Sequence, residues 1–155
     1  QRLGNLSAAV IRPQLDELPR RVRDGLRNHD FVAARLNASP YLHVPAPLAP
    51  ESRAPDSIQF NLVDLTADET DAFAKAAAVR GVKVQVFGQS TDNARAFWNW
   101  QFIETPELPK TRAMLMKACD VRLPARLSLD ECGYIASSLC DAATEVMGSP
   151  RAFGT

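Results

Sequence analysis

Apolar residues at Ile11, Leu15, Leu18, Val22, Leu26, Ala33 and Leu36 recur at helical spacing along the start of the chain. This stripe commits the N-terminal segment to a long helix with one side that needs apolar cover. The stripe is longer than the small α/β layer expected downstream can cover, and exposed patches of that kind mark interfaces. Pro13 and Pro19 interrupt it, so either the helix kinks twice or Pro19 opens a second helix as a first-turn residue. His29 falls on the same stripe and reads as a half-buried structural histidine before a catalytic one.

Residues 40 to 55 hold five of the eleven prolines, which predicts an extended connector without a hydrogen-bond ladder. "SIQFNLVDL" then alternates Ile58, Phe60 and Leu62 with polar Gln59 and Asn61, a strand with one wet face. Thr66 with Glu69 forms a capping box ahead of a helix through Phe73 and Ala77 that Gly81 ends. "VKVQVFG" alternates again, with Val82, Val84 and Val86 inward and Lys83 and Gln85 outward. After the aromatic stretch "ARAFWNWQFI", "PELPKTRAMLMKACD" reads as a proline-initiated helix and "VRLP" as a short third strand. Ser128 with Glu131 is a second capping box, opening a final helix with the stripe Ile135, Leu139, Ala142 and Val146. The expected units are 1–39 (helix), 40–56 (connector), 57–148 (small α/β domain) and 149–155 (tail). The sheet is expected to have three strands, or four, with helices on one face.

Several function classes find no footing. Eighteen basic residues balance eighteen acidic ones, so no electrostatic pull toward nucleic acid or anionic membrane is expected. There is no apolar run of roughly 20 residues and no visible signal peptide, so a cytoplasmic location is expected. Cys132 and Cys140 would lie about 12 Å apart on one helix, too far for a disulfide, and no cysteine or histidine spacing fits a metal site. Phosphate-cradling glycine loops are absent from the sequence, as is a GxSxG nucleophile elbow. His43 reads as a solvated loop residue, and the pairs Asp16–Glu17 and Asp130–Glu131 lie at helix starts or on wet faces. Trp98 and Trp100 are expected to pack, with a ligand clamp as the second reading.

Three segments carry a resemblance. "QRLGNLSAAVIRPQLDEL" resembles the N-Y-R-M-S-x-L-x-A-A-x-x-x-x-Q-L-x-x-L segment of the DegT-type sugar aminotransferases, through Arg2, Leu6, Ala8, Ala9, Gln14, Leu15 and Leu18. "SIQFNLVDLTADETDAFAKAAAVRGVKVQVFG" is similar to that family's strand–helix–strand ending in G-I-x-T-x-x-H-Y. "CDVRLPARLSLDECGYIASSL" resembles its closing L-P-x-x-x-x-L-[ST]-x-[DE] motif and final helix. The three occur in order across nearly the whole chain.

The resemblance implies a fold type I enzyme dependent on pyridoxal 5′-phosphate (PLP), of which this chain matches the interdomain helix and the C-terminal small domain. It makes residues 1–39 an interdomain and dimer-interface region. The expected partners are a PLP-binding large domain or chain and a second copy in a homodimer. Transfer of an amino group from glutamate or glutamine to a keto-sugar or similar ketone is the implied reaction. The family's Asn and its Schiff-base lysine are expected upstream of Gln1. Arg2 is the implied cofactor-binding residue, because the matching arginine approaches a phosphate or carboxylate. Gln85, Phe87, Gln89 and Trp98 are the candidate substrate-binding residues, in the region that borders the substrate in the family.

Only Lys75, Lys83, Lys110 and Lys117 are present, and none reads as buried enough to form a Schiff base. The chain by itself is therefore not expected to transaminate. It departs from the pattern at Gln1, at Val84 and Phe87 (the usual Thr and His), and at Gly88 (the usual Tyr). The alternatives are a non-catalytic interaction module descended from such a domain and an unrelated small-molecule-binding α/β domain.

Overall fold

The computed structural model describes residues 4–91, 95–101 and 103–148. Helix α1 runs Asn5–Leu36 and strand β1 is Leu42–His43. Strand β2 (Ser57–Leu62), helix α2 (Ala67–Val79) and strand β3 (Gln85–Val86) follow. Helix α3 (Pro109–Leu115), strand β4 (Ala118–Arg122) and helix α4 (Leu129–Gly148) complete the order. The strands form one antiparallel sheet in the order β1-β2-β4-β3. This is the expected small α/β layer, with the fourth strand present.

Local signals fix most of the boundaries. At the start of α2, Thr66 Oγ1 accepts from the Glu69 N–H at 3.2 Å and Glu69 Oε2 accepts from the Thr66 N–H at 2.7 Å. Ser128 and Glu131 repeat the arrangement at α4, at 3.2 and 2.8 Å. Those Ser128 hydrogen bonds, backbone first, hold the Glu131 carboxyl below its ordinary value. Gly81, at φ +79°, closes α2: its N–H reaches Ala78 O, and the Val82 N–H reaches Ala77 O, the paired bonds of a left-handed C-terminal cap.

One face of the sheet is apolar. Ile58, Phe60 and Leu62 of β2 and Cys119 and Val121 of β4 pack with Val32 and Leu36 of α1, Phe73 and Ala77 of α2, and Leu139 and Ala142 of α4. Phe60 and Phe73 meet edge to face, with centroids 6.2 Å apart. Buried Asn28 ties α1 to the segment before α4, its amide donating to Leu127 O at 3.0 Å and Ala125 O at 3.4 Å. Tyr134 Oη donates to Arg80 O at 2.9 Å, and Arg80 Nη2 meets Glu145 Oε2 at 2.6 Å, joining α4 to the end of α2.

Five expectations need correction. Neither proline ends α1; it is one helix, and Pro19 does not start a second. The connector does hold a short ladder, Leu42 pairing with Leu62 and His43 with Asn61. Its prolines stand at 40 and from 45 onward, leaving 41–44 free to donate. Ala118–Asp120, read as the end of a helix, belong to β4, because pairing with Gln59, Phe60 and Asn61 outweighs local helix preference. The third strand thus begins earlier than "VRLP". Strand β3 is confined to Gln85–Val86, although Val82 and Val86 are buried and Lys83 exposed as expected. His29 is more deeply buried than half, at 4% exposure.

Helix α1 has two characters. Every residue from 4 to 23 is exposed, including Leu6, Val10, Ile11, Leu15, Leu18 and Val22. Packing begins at Gly25, where a Cβ would lie 2.6 Å from Pro55 O and 2.9 Å from Pro55 Cβ. Gly25→Ala is therefore expected to destabilise the fold by roughly 1–3 kcal/mol through overpacking, against its better helix propensity. Urea unfolding checks this; an unchanged or raised midpoint would show that Pro55 yields freely.

Cys119 and Cys132 are buried and Cys140 half-buried, all as free thiols. Burial, and then the charge of Asp120, push the Cys119 thiol up to about 12. A thiol held protonated in the fold contributes stability below its unfolded value of about 8.5. That contribution is lost as pH rises toward the folded value. Urea unfolding at pH about 8 and about 10.5 should show wild-type stability falling, and falling less in Cys119→Ala.

Candidate functional site

The second face of the sheet is polar. Strand register sets His43 beside Asn61, and Gln59, Asp120 and Gln85 in one row across β2, β4 and β3. Asp120 lies at the centre of that row and is 3% exposed. It is the one buried carboxylate among the described residues.

The chain leaving β3 covers this row. Residues Phe87–Gln89 make a 3₁₀ turn, and Gly88 lets it approach the end of α3, where a Cβ would stand 2.5 Å from Met116 Sδ and 2.9 Å from the Met116 backbone. A second 3₁₀ turn, Phe97–Asn99, is fastened to the first by Asn99 Nδ2 donating to Ser90 O at 2.8 Å. Ala96 and Phe97 are buried. Arg95 Nη1 lies 3.5 Å from Asp120 Oδ2, and the same guanidinium stands 4.6 Å above the Phe87 ring. Trp98 packs edge to face on Phe97 at 5.1 Å, with the Arg112 guanidinium 4.4 Å above its ring.

A groove of about 710 Å³ opens where residues 82–84 leave the edge of β4. Lys83, Gln85, Gln89, Ser90, Asp120 and Arg122 are among its lining residues. Of the candidate substrate-binding residues, Gln85 and exposed Gln89 meet in this groove. Phe87 is linked to Gln85 through Arg95 and Asp120. Trp98 stands apart, against Phe97 and Arg112. Arg2 lies outside the described residues. Sequence reading missed Asp120, Arg95 and Arg112. Asp120 alternates with Cys119 and Val121 onto the polar face only once pairing with β2 makes the segment a strand.

The four lysines differ in setting. Lys75 on α2 meets Asp71 at 2.6 Å, and this hydrogen bond, then the aspartate charge, raise its amine above the ordinary value. Lys83 and Lys110 are exposed. Lys117, read as helical, sits half-buried in the turn after α3. Among the described residues no three His, Cys, Asp or Glu side chains are placed to hold a metal ion. No helix of these residues is long and apolar enough to cross a membrane.

Gly88→Ala should displace Met116 and loosen the approach of α3, costing roughly 1–3 kcal/mol. An unfolding midpoint equal to wild type would mean that the turn moves without cost.

No protein-family model and no curated protein sequence matches the chain. Solved structures do match. The aminotransferase TlmJ from Streptoalloteichus hindustanus superposes with a TM-score of 0.75 at 18% identity, over 90% of this chain and 36% of its own. PseC of Helicobacter pylori, an aminotransferase in the biosynthesis of pseudoaminic acid, gives 0.76 at 16% identity, over 93% and 38%. Spr1654 from Streptococcus pneumoniae, in its PMP form, gives 0.72 at 16% identity, over 93% and 36%. The chain thus has a fold found within sugar aminotransferases and spans little more than a third of their length. That proportion fits the C-terminal part to which the sequence resemblance pointed.

Proposed function

We propose that this chain is the C-terminal portion of a PLP-dependent aminotransferase of the DegT type. The complete cytoplasmic protein transfers an amino group from glutamate or glutamine to a keto-sugar or similar ketone. The observation that carries this reading is the match of over nine-tenths of the chain to part of PseC, together with the three sequence segments found in the same order.

The Schiff-base lysine is assigned to another portion of the protein. A Schiff-base lysine needs burial and a lowered pKa, whereas Lys75 is raised, Lys83 and Lys110 are exposed, and Lys117 is only half-buried, in the turn after α3. PLP, held by another portion of the protein, supplies the electron sink for transamination. The chain's own residues bind and orient. Gln85 and Gln89 offer amide donors and acceptors suited to hydroxyl groups, and Phe87 and Trp98 offer rings on which a ligand can stack. Arg2 is assigned to the cofactor phosphate or a substrate carboxylate, which its planar fork can hold through two parallel bonds. The bare apolar side of α1 over residues 4–23 is assigned to contact with the large domain and a second subunit.

Borohydride reduction in the presence of PLP tests the reading. The isolated chain should show no specifically labelled lysine, and the complete protein one, located outside these residues. In the complete protein, Arg2→Lys should weaken PLP or substrate binding by roughly 1.5–3 kcal/mol, about one to two decades. A complete protein with no labelled lysine would sink the reading in favour of a non-catalytic module.

A further inference from the structure

We infer that Asp120 is a positioning residue for the aromatic surface: through Arg95 it fixes the Phe87 turn and the segment that carries Trp98. The role rests on the assignment of Phe87 and Trp98 to substrate given above.

The case begins with cost. A buried carboxylate without compensation is strongly unfavourable, and its neighbours in the row, Gln59 and Gln85, are neutral amides. A third amide would fill the row without a charge. The ion pair is not built for stability either. Arg95 Nη1 stands 3.5 Å from Asp120 Oδ2, and neither that nitrogen nor Asp120 Oδ1 has a hydrogen-bond partner among the described residues. Buried pairs with imperfect geometry contribute little net stability, and direction is their better-attested use.

Direction is what the surroundings supply. The Arg95 guanidinium is held from two sides, by the Asp120 carboxylate on the rigid central strand and by the Phe87 ring on the 3₁₀ turn. Residues following Arg95 are buried at once, Ala96 completely, and Phe97 presents the edge-to-face surface on which Trp98 rests. One charge on β4 thus bears on the relative placement of two segments that are also joined by Asn99 Nδ2 donating to Ser90 O. The carboxylate adds to the ring a charge carried by the central strand, which a cation over a ring alone does not supply.

The two tryptophans of the chain, Trp98 and Trp100, both lie in this segment and report on it directly. Acrylamide quenching of their fluorescence should rise about twofold or more in Asp120→Asn, and equally in Arg95→Gln. The double variant should add little to either, as coupled partners do. In the complete enzyme, KM for the ketone should rise about tenfold with kcat changed less than about twofold, the pattern of lost binding and not of lost chemistry. Arg95→Gln alters a side chain that is 31% exposed, so it carries the same readouts if Asp120→Asn does not fold. Unchanged quenching in both variants, or strictly additive effects, overturns the inference and leaves the proposed function intact. Raised, coupled quenching with an unchanged KM upholds the fastening and removes the substrate assignment of Phe87 and Trp98.

Discussion

The pairing of Ser57–Leu62 with Ala118–Arg122 is the contact on which the rest of the molecule depends. Strand β1 attaches to one member and β3 to the other, and α1, α2 and α4 share the core formed on their apolar face. The register is held by an asymmetry of cost. In the observed pairing Cys119 and Val121 face the core and Asp120 faces the polar row. A slip of one residue would send Asp120 inward among Phe60, Phe73 and Leu139, and expose the apolar positions. The carboxylate that decorates the candidate site also forbids the misregistered sheet.

Features encoded within a few residues were legible. The capping boxes at Thr66 and Ser128, the cap at Gly81 and the alternation of Ile58, Phe60 and Leu62 each rest on local chemistry that a window of the sequence contains. Ala118–Asp120 were not, because "MKACD" continues a helical pattern and only the distant β2 ladder turns it into a strand. Strand β1 was hidden by the surrounding prolines, which make a four-residue gap look like part of a coil. The site was legible in outline alone. Resemblance brought attention to Gln85 through Trp98, but the joining of Arg95 to Asp120 links residues far apart in sequence, and no periodicity reports such a contact.

Helix α1 shows where local propensity stops being sufficient. Beyond Gly25 the helix is held by Asn28, Val32 and Leu36 against the domain. Before it, the helix carries two interior prolines, each of which removes a hydrogen bond and costs about 3 kcal/mol in an isolated helix. Every residue of this half up to 23 is exposed. A helix with that composition gains its stability from tertiary burial of an apolar side. Leu6, Val10, Ile11, Leu15, Leu18 and Val22 therefore define a surface whose order depends on cover from outside these residues. A chain spanning little more than a third of its structural neighbours leaves room for such cover.

The departures at Phe87 and Gly88 are physically one change. The pattern G-I-x-T-x-x-H-Y puts a ring at the position of Gly88, but here the end of α3 occupies that space: even a Cβ would stand 2.5 Å from Met116 Sδ. Without a side chain at 88, the 3₁₀ turn approaches the backbone of Met116, and the preceding ring becomes the stacking partner of Arg95. Imidazole would offer hydrogen bonds there; phenyl offers only its face, and the polarity passes to Arg95 and Asp120. The core residues Phe60, Phe73 and Leu139 lie on the opposite face of the sheet from Asp120.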